Sequence, residues 1–136
     1  MLKIALERMF NLKDKEIVTW DKLATATPLV WTCLNSTLEF ECGDEMPKEG
    51  VYYKLFPTKV SNQLIFITRI YKGFGYHLHS HDCKETSTVI NGSCIVNDRE
   101  IMRQNDSIVF HKNTLHKVYQ IGDSEYMELL VEFNKR

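Results

Sequence analysis

From residue 51 to the C-terminus, the chain reads as short apolar or alternating runs divided by turn-forming residues. The runs are 51–56 (VYYKLF), 64–71 (LIFITRIY), 76–81 (YHLHSH), 86–91 (TSTVIN), 93–96 (SCIV), 99–103 (REIMR), 107–110 (SIVF), 115–120 (LHKVYQ) and 126–133 (YMELLVEF). β-Branched and aromatic residues dominate several of them, as pleated and half-buried strands require. Asn91-Gly92 and Asn97-Asp98 predict hairpin turns. Asn105-Asp106 and Gly122-Asp123 mark further turns. Many short strands at close spacing predict an all-β sandwich or barrel.

The first fifty residues follow a different pattern. Leu2, Leu6, Met9 and Phe10 stand near helical spacing and predict a short helix over 2–12. Thr19 or Asp21 is the expected cap of another helical turn, which Pro28 ends. Residues 29–34 (LVWTCL) and 37–41 (TLEFE) read as strands joined at Asn35-Ser36, and 42–50 reads as a loop. The expected organisation is an N-terminal extension, 1–50, that packs on the barrel or on a partner, followed by a barrel over 51–136.

A chain of 136 residues is most simply one domain. At that length roughly two-thirds of the unfolded surface can be buried, so a core forms without disulfides. With 17 basic and 18 acidic residues, the charge balance gives no reason to expect nucleic acid or an anionic membrane as partner. The N-terminus carries Lys3, Glu7 and Arg8, which excludes the apolar centre of a signal peptide. No run approaches the roughly 18 apolar residues of a membrane span. Cys33, Cys42, Cys83 and Cys94 form no CxxC pair and read as reduced thiols in a cytoplasmic protein.

The chemistry concentrates between Gly73 and Gly92. His77, His79 and His81 occupy alternate positions of one predicted strand and so share a face. Glu85 follows a short turn and returns to that face. Imidazole nitrogen with carboxylate oxygen suits a divalent ion such as Fe, Mn, Co, Ni or Zn. HLHSH alone would read equally as a polar surface cluster. His77 has several readings: a group that orients a ligand, a proton shuttle, an alternative ligand, or a packed strand histidine. Cys83 is expected to be exposed in the turn. Arg69 either points inward toward a substrate carboxylate or lies outward in solvent. Tyr76, one residue before His77, is expected to point away from the metal, as is Tyr119, three residues beyond His116. His111 is expected in a loop.

The spacing Gly73-x5-His79-x-His81-x3-Glu85-x6-Gly92 resembles the first motif of the cupin family. The second cupin motif, Gly-x5-Pro-x-Gly-x2-His-x3-Asn, falls on Asn105, His111, Asn113, His116 and Gln120, so the histidine is kept and its surroundings differ. The resemblance covers about residues 51–133, and 48–81 is also similar to small anti-sigma-factor cupins. It implies a single-domain jelly-roll barrel (a double-stranded β-helix) with a short N-terminal helical or irregular segment. It implies metal ligands at His79, His81, Glu85 and His116, with open positions on the ion, and a homodimer. The implied function is a metal-dependent enzyme of dioxygenase, isomerase, decarboxylase or lyase type on a small organic substrate. In that case His77 is the candidate catalytic acid or base. The alternative is a non-catalytic sensor or regulatory cupin that binds a small ligand.

Overall fold

The computed structural model describes residues 16–34, 40–42 and 46–135. The strands, in chain order, are β1 (Glu16–Ile17), β2 (Thr32–Leu34), β3 (Phe40–Glu41), β4 (Val51–Phe56), β5 (Gln63–Tyr71) and β6 (Gly75–Ser80). They continue as β7 (Lys84–Asn91), β8 (Ser93–Val96), β9 (Glu100–Arg103), β10 (Ser107–Phe110), β11 (His116–Gln120) and β12 (Tyr126–Asn134). A single helical turn, α1 (Trp20–Leu23), lies between β1 and β2; its cap is Thr19, whose hydroxyl accepts from the Lys22 amide at 3.2 Å.

A five-stranded sheet in the order β1-β6-β11-β8-β9 faces a seven-stranded sheet in the order β10-β7-β12-β5-β4-β2-β3. The result is the expected all-β jelly-roll barrel. The predicted strands from 51 onward all form, with ends shifted by at most two residues. The helix expected over 2–12 and the turn at Asn35-Ser36 lie outside the described residues, as does part of the 42–50 loop. The described residues before Val51 join the same two sheets: β1 runs parallel to β6, and β2 pairs with β4.

Period-two alternation places the core. On β5 and β12, Phe66, Ile70, Met127, Leu129, Val131 and Phe133 turn inward, where each is at most 4% exposed. Burying a side chain of this size contributes roughly 1.5–3 kcal/mol. The alternate residues Ile67, Arg69, Tyr71 and Tyr126 face the other way and pack with Trp31, Cys33 and Tyr52 in a second, outer cluster.

Two turns expected from the same dipeptide logic part company. Asn97-Asp98 is a hairpin turn, with both residues at positive φ (52° and 59°), joining paired strands β8 and β9. Asn91-Gly92 is not a hairpin. β7 belongs to the seven-stranded sheet and β8 to the five-stranded one, so the chain turns a corner between sheets there. Gly92 permits this with φ of +85°, and a Cβ on it would meet the Met127 Cβ at 2.6 Å. Asn105 and Asn113, which stand where the second cupin motif has glycines, take positive φ of 75° and 66°. Asparagine tolerates that conformation, so both turns form without glycine.

Candidate metal centre

His79 and Glu85 come from consecutive strands, β6 and β7, in opposite sheets, with His81 in the connection between them; His116 opens β11 beside His79. One ligand atom from each of the four residues lies within 4.8 Å of every other. His116 is 1%, Glu85 3% and His81 5% exposed. His79 keeps part of its edge open, and that edge faces a cavity.

Hydrogen bonds settle which nitrogens are presented. The Nδ1 of His79 contacts the His77 carbonyl at 3.0 Å, that of His81 the Val18 carbonyl at 2.8 Å, and that of His116 the Thr114 carbonyl at 3.0 Å. A backbone carbonyl only accepts, so each Nδ1 carries the proton and each neutral ring presents the Nε2 lone pair. His81 Nε2 and His116 Nε2 are buried without a hydrogen-bond partner, although Glu85 Oε1 stands 3.1 and 3.3 Å away. In the neutral rings these lone pairs face the carboxylate and repel it; a proton or a metal ion between them turns the approach into attraction. The other carboxylate oxygen, Oε2, accepts from the Ser87 hydroxyl at 2.7 Å. Phe110 stacks on His116 with ring centroids 3.9 Å apart, fixing that ring from behind.

The electrostatics follow from burial and proximity. Burial alone would raise the Glu85 carboxyl, but the approach of His116 and His81 outweighs it and holds the group well below the usual range. His79 is pushed down to about 3, first by burial and then by His116 and His81. An ionised carboxylate and a neutral imidazole are the forms that bind a divalent ion. Buried orphaned lone pairs converging with a carboxylate fit such an ion, which would be held by His79, His81, Glu85 and His116.

The N-terminal segment is part of the site. Glu16 pairs with His79 and Ile17 with Ser80, the Val18 amide donates to the Ser80 carbonyl at 2.8 Å, and the Trp20 amide donates to Asp82 Oδ1 at 2.7 Å. These contacts bring the Val18 carbonyl to His81. Past them, α1 and the residues after it cover one side of a cavity of about 120 Å³ that reaches His79, His81 and Glu85.

Several expectations change. Between β6 and β11 the register slips: His79 opposes His116, but Tyr76 opposes Val118. The bulge interrupts the alternation, so Tyr76 turns toward the site, its ring centroid 5.1 Å from that of His79. Sequence alternation alone placed Tyr76 on the opposite face. His77 also lines the cavity, outside the four-residue group, with its Nε2 3.8 Å from Glu16 Oε2. Cys83 is 1% exposed, not an exposed turn residue, and burial pushes its thiol up to about 12, which makes it a poor ligand. Arg69 matches neither expectation: it lies on the outer face, shielded from solvent, and donates from Nε and Nη2 to Glu128 Oε2 at 3.1 and 3.0 Å. His111 is exposed in a loop. Sequence reasoning missed Tyr76 and the Val18 carbonyl; only the bulge and the parallel β1 pairing place them.

No protein-family model and no curated protein matches this chain. Solved structures do. A cupin-like protein from Thermotoga maritima matches with a TM-score of 0.57 and 19% identity, covering 64% of this chain and 70% of that one. An RmlC-like cupin from Shewanella frigidimarina matches at 0.56 and 18%, covering 64% and 78%. The complex of SigE with the anti-sigma ChrR from Rhodobacter sphaeroides matches at 0.57 and 16%, covering 62% of this chain and 45% of that one. The fold is therefore cupin-like, as in these structures. On this fold the chain carries a three-histidine, one-glutamate group that could hold a metal ion.

Proposed function

We propose that this protein is a metal-dependent cupin that binds, and acts on, a small organic molecule. The observation that carries the reading is the set of three Nδ1–carbonyl hydrogen bonds. They aim three Nε2 lone pairs and one ionised carboxylate at a common point on a cavity wall. The ion is a divalent transition metal of the Fe, Mn, Co, Ni or Zn group. When bound, it supplies Lewis-acid or redox chemistry to a molecule in the cavity.

The chain's own residues do the rest. His79, His81 and Glu85 border the cavity, and His116 anchors the group from behind it. The inward aromatic side chains exclude water. His77, beside Glu16, is the candidate acid or base within reach of the bound molecule.

Protein purified without chelator is expected to carry about one metal ion per chain, and His79→Ala and Glu85→Ala to lose it. Equal metal content in all three sinks the site as drawn. Oxygen uptake or product formation by the metal-loaded protein with candidate substrates separates an enzyme from a ligand-binding module, which would bind tightly without turnover.

A further inference from the structure

The three histidines of the candidate centre are not supported alike. His79 and His116 donate to the His77 and Thr114 carbonyls, two residues back in their own segments. His81 donates to the Val18 carbonyl, 63 residues away, on the segment that covers the cavity. That segment is lightly held. None of residues 16–30 is buried, and Ile17 is 61% exposed. It meets β6 and the connection after it through a two-residue pairing, the Val18 amide on the Ser80 carbonyl and the Trp20 amide on Asp82. Trp20, Leu23 and Ala26 rest half-buried against the core. The segment reaches the seven-stranded sheet at Leu29, whose φ is 61° and whose amide donates to the Leu55 carbonyl at 2.8 Å. Segments with few buried contacts open locally at a small cost in free energy. One charge-assisted hydrogen bond shifts such an equilibrium about tenfold.

We propose that residues 16–27 form a strap whose closure over the cavity is coupled to metal binding through the His81–Val18 hydrogen bond. This rests on the metal-dependent reading above. With the strap closed, the Val18 carbonyl fixes the proton on Nδ1 and leaves Nε2 facing the other ligands. With Nε2 bound to an ion, the ring becomes a stronger Nδ1 donor and holds the strap in place. The two effects are one coupling free energy, so they are equal in size. His79 and His116 carry no such link, because their acceptors belong to their own segments. The strap supplies Glu16, Val18, Leu23 and Ala26 to the cavity wall, so metal occupancy governs closure of the cavity on that side.

The test compares the full chain, metal-free and loaded with zinc(II), by hydrogen exchange of backbone amides. Zinc is expected to slow exchange of the Val18 and Trp20 amides about tenfold. The Lys72 amide, which donates to the Glu125 carbonyl near the opposite end of β6, is expected to keep its rate. Val18→Pro deletes the amide that anchors the strap to Ser80 and keeps all four ligands. It is expected to bind zinc more weakly by the same factor. Zinc bound at one per chain with unchanged exchange at Val18 and Trp20 overturns the coupling and leaves the metal reading standing. Equal slowing at Lys72 also overturns it, because the effect is then global stabilisation. So does full zinc affinity in a Val18→Pro protein whose Trp20 amide exchanges freely. Absence of bound zinc in the wild type overturns the metal reading, and this one with it.

Discussion

The two faces of the seven-stranded sheet both bury charge, and they treat it in opposite ways. On the outer face, Arg69 donates twice to Glu128 and lies between the rings of Trp31 and Tyr126, 4.7 and 4.2 Å from their centroids. Its charge meets an opposite charge and two aromatic faces. On the inner face, the histidines around Glu85 have their Nδ1 protons satisfied while the Nε2 atoms of His81 and His116 are left without a hydrogen bond. A closed network stabilises the fold. An open one costs stability and is retained where something else completes it.

The sharpest way to break this comparison is to remove Glu85. Glu85→Ala is expected to lower metal affinity by more than about 100-fold, beyond what loss of a supporting group does. Metal analysis after dialysis checks it, and unchanged content would erase the distinction between the faces. Glu128→Ala should do the reverse. It is expected to destabilise the protein by about 1–3 kcal/mol, because it strands Arg69 in a mostly buried setting, and to leave metal content alone. Denaturant unfolding measures it. Replacing both residues, as Arg69→Met with Glu128→Leu, should recover much of the loss.

Acid should reach the inner face first. The unfolded chain protonates His79 near 6.5, whereas the folded protein holds that ring down to about 3. Between those values the unfolded state binds the extra proton, so stability falls as pH falls. Glu85, held below its ordinary 4.5, adds a loss at lower pH. The melting temperature of metal-free protein is expected to drop by about 5 °C between pH 7 and pH 5. His79→Gln should flatten that slope, and an unaltered slope would place the titrating group elsewhere.

A smaller effect tests the N-terminal contact. Asp82→Ala removes the acceptor of the Trp20 amide and loosens the segment that brings the Val18 carbonyl to His81. Metal affinity is expected to fall about tenfold, and Asp82→Asn, which keeps the acceptor oxygen, to restore it. Equal affinities in all three proteins would make the segment a cover only.

Much of the inner face was legible in the chain. Strand alternation gave His79 and His81 a common side, because backbone pleating dictates a period of two regardless of context. The same rule misplaced Tyr76, because the bulge opposite His116 depends on a partner strand about forty residues away. It also could not say which sheet receives the strand after Asn91-Gly92. Dipeptide propensity describes the turn; the long-range pairing of β7 with β12 and of β8 with β11 decides where the turn leads.

By itself, the sequence determined the strands and the all-β class, which follow from local periodicity, while the four residues of the candidate centre came from the resemblance of their spacing to the cupin motifs. The tertiary structure alone decided the rest. It set the tautomers of three histidines through carbonyls of His77, Val18 and Thr114, turned Tyr76 inward, and closed Arg69 onto Glu128. The Val18, Tyr76 and Arg69 contacts join groups from different strands, where distance in space bears no relation to distance along the chain; the His77 and Thr114 carbonyls stand two residues from their histidines and depend on the folded backbone conformation.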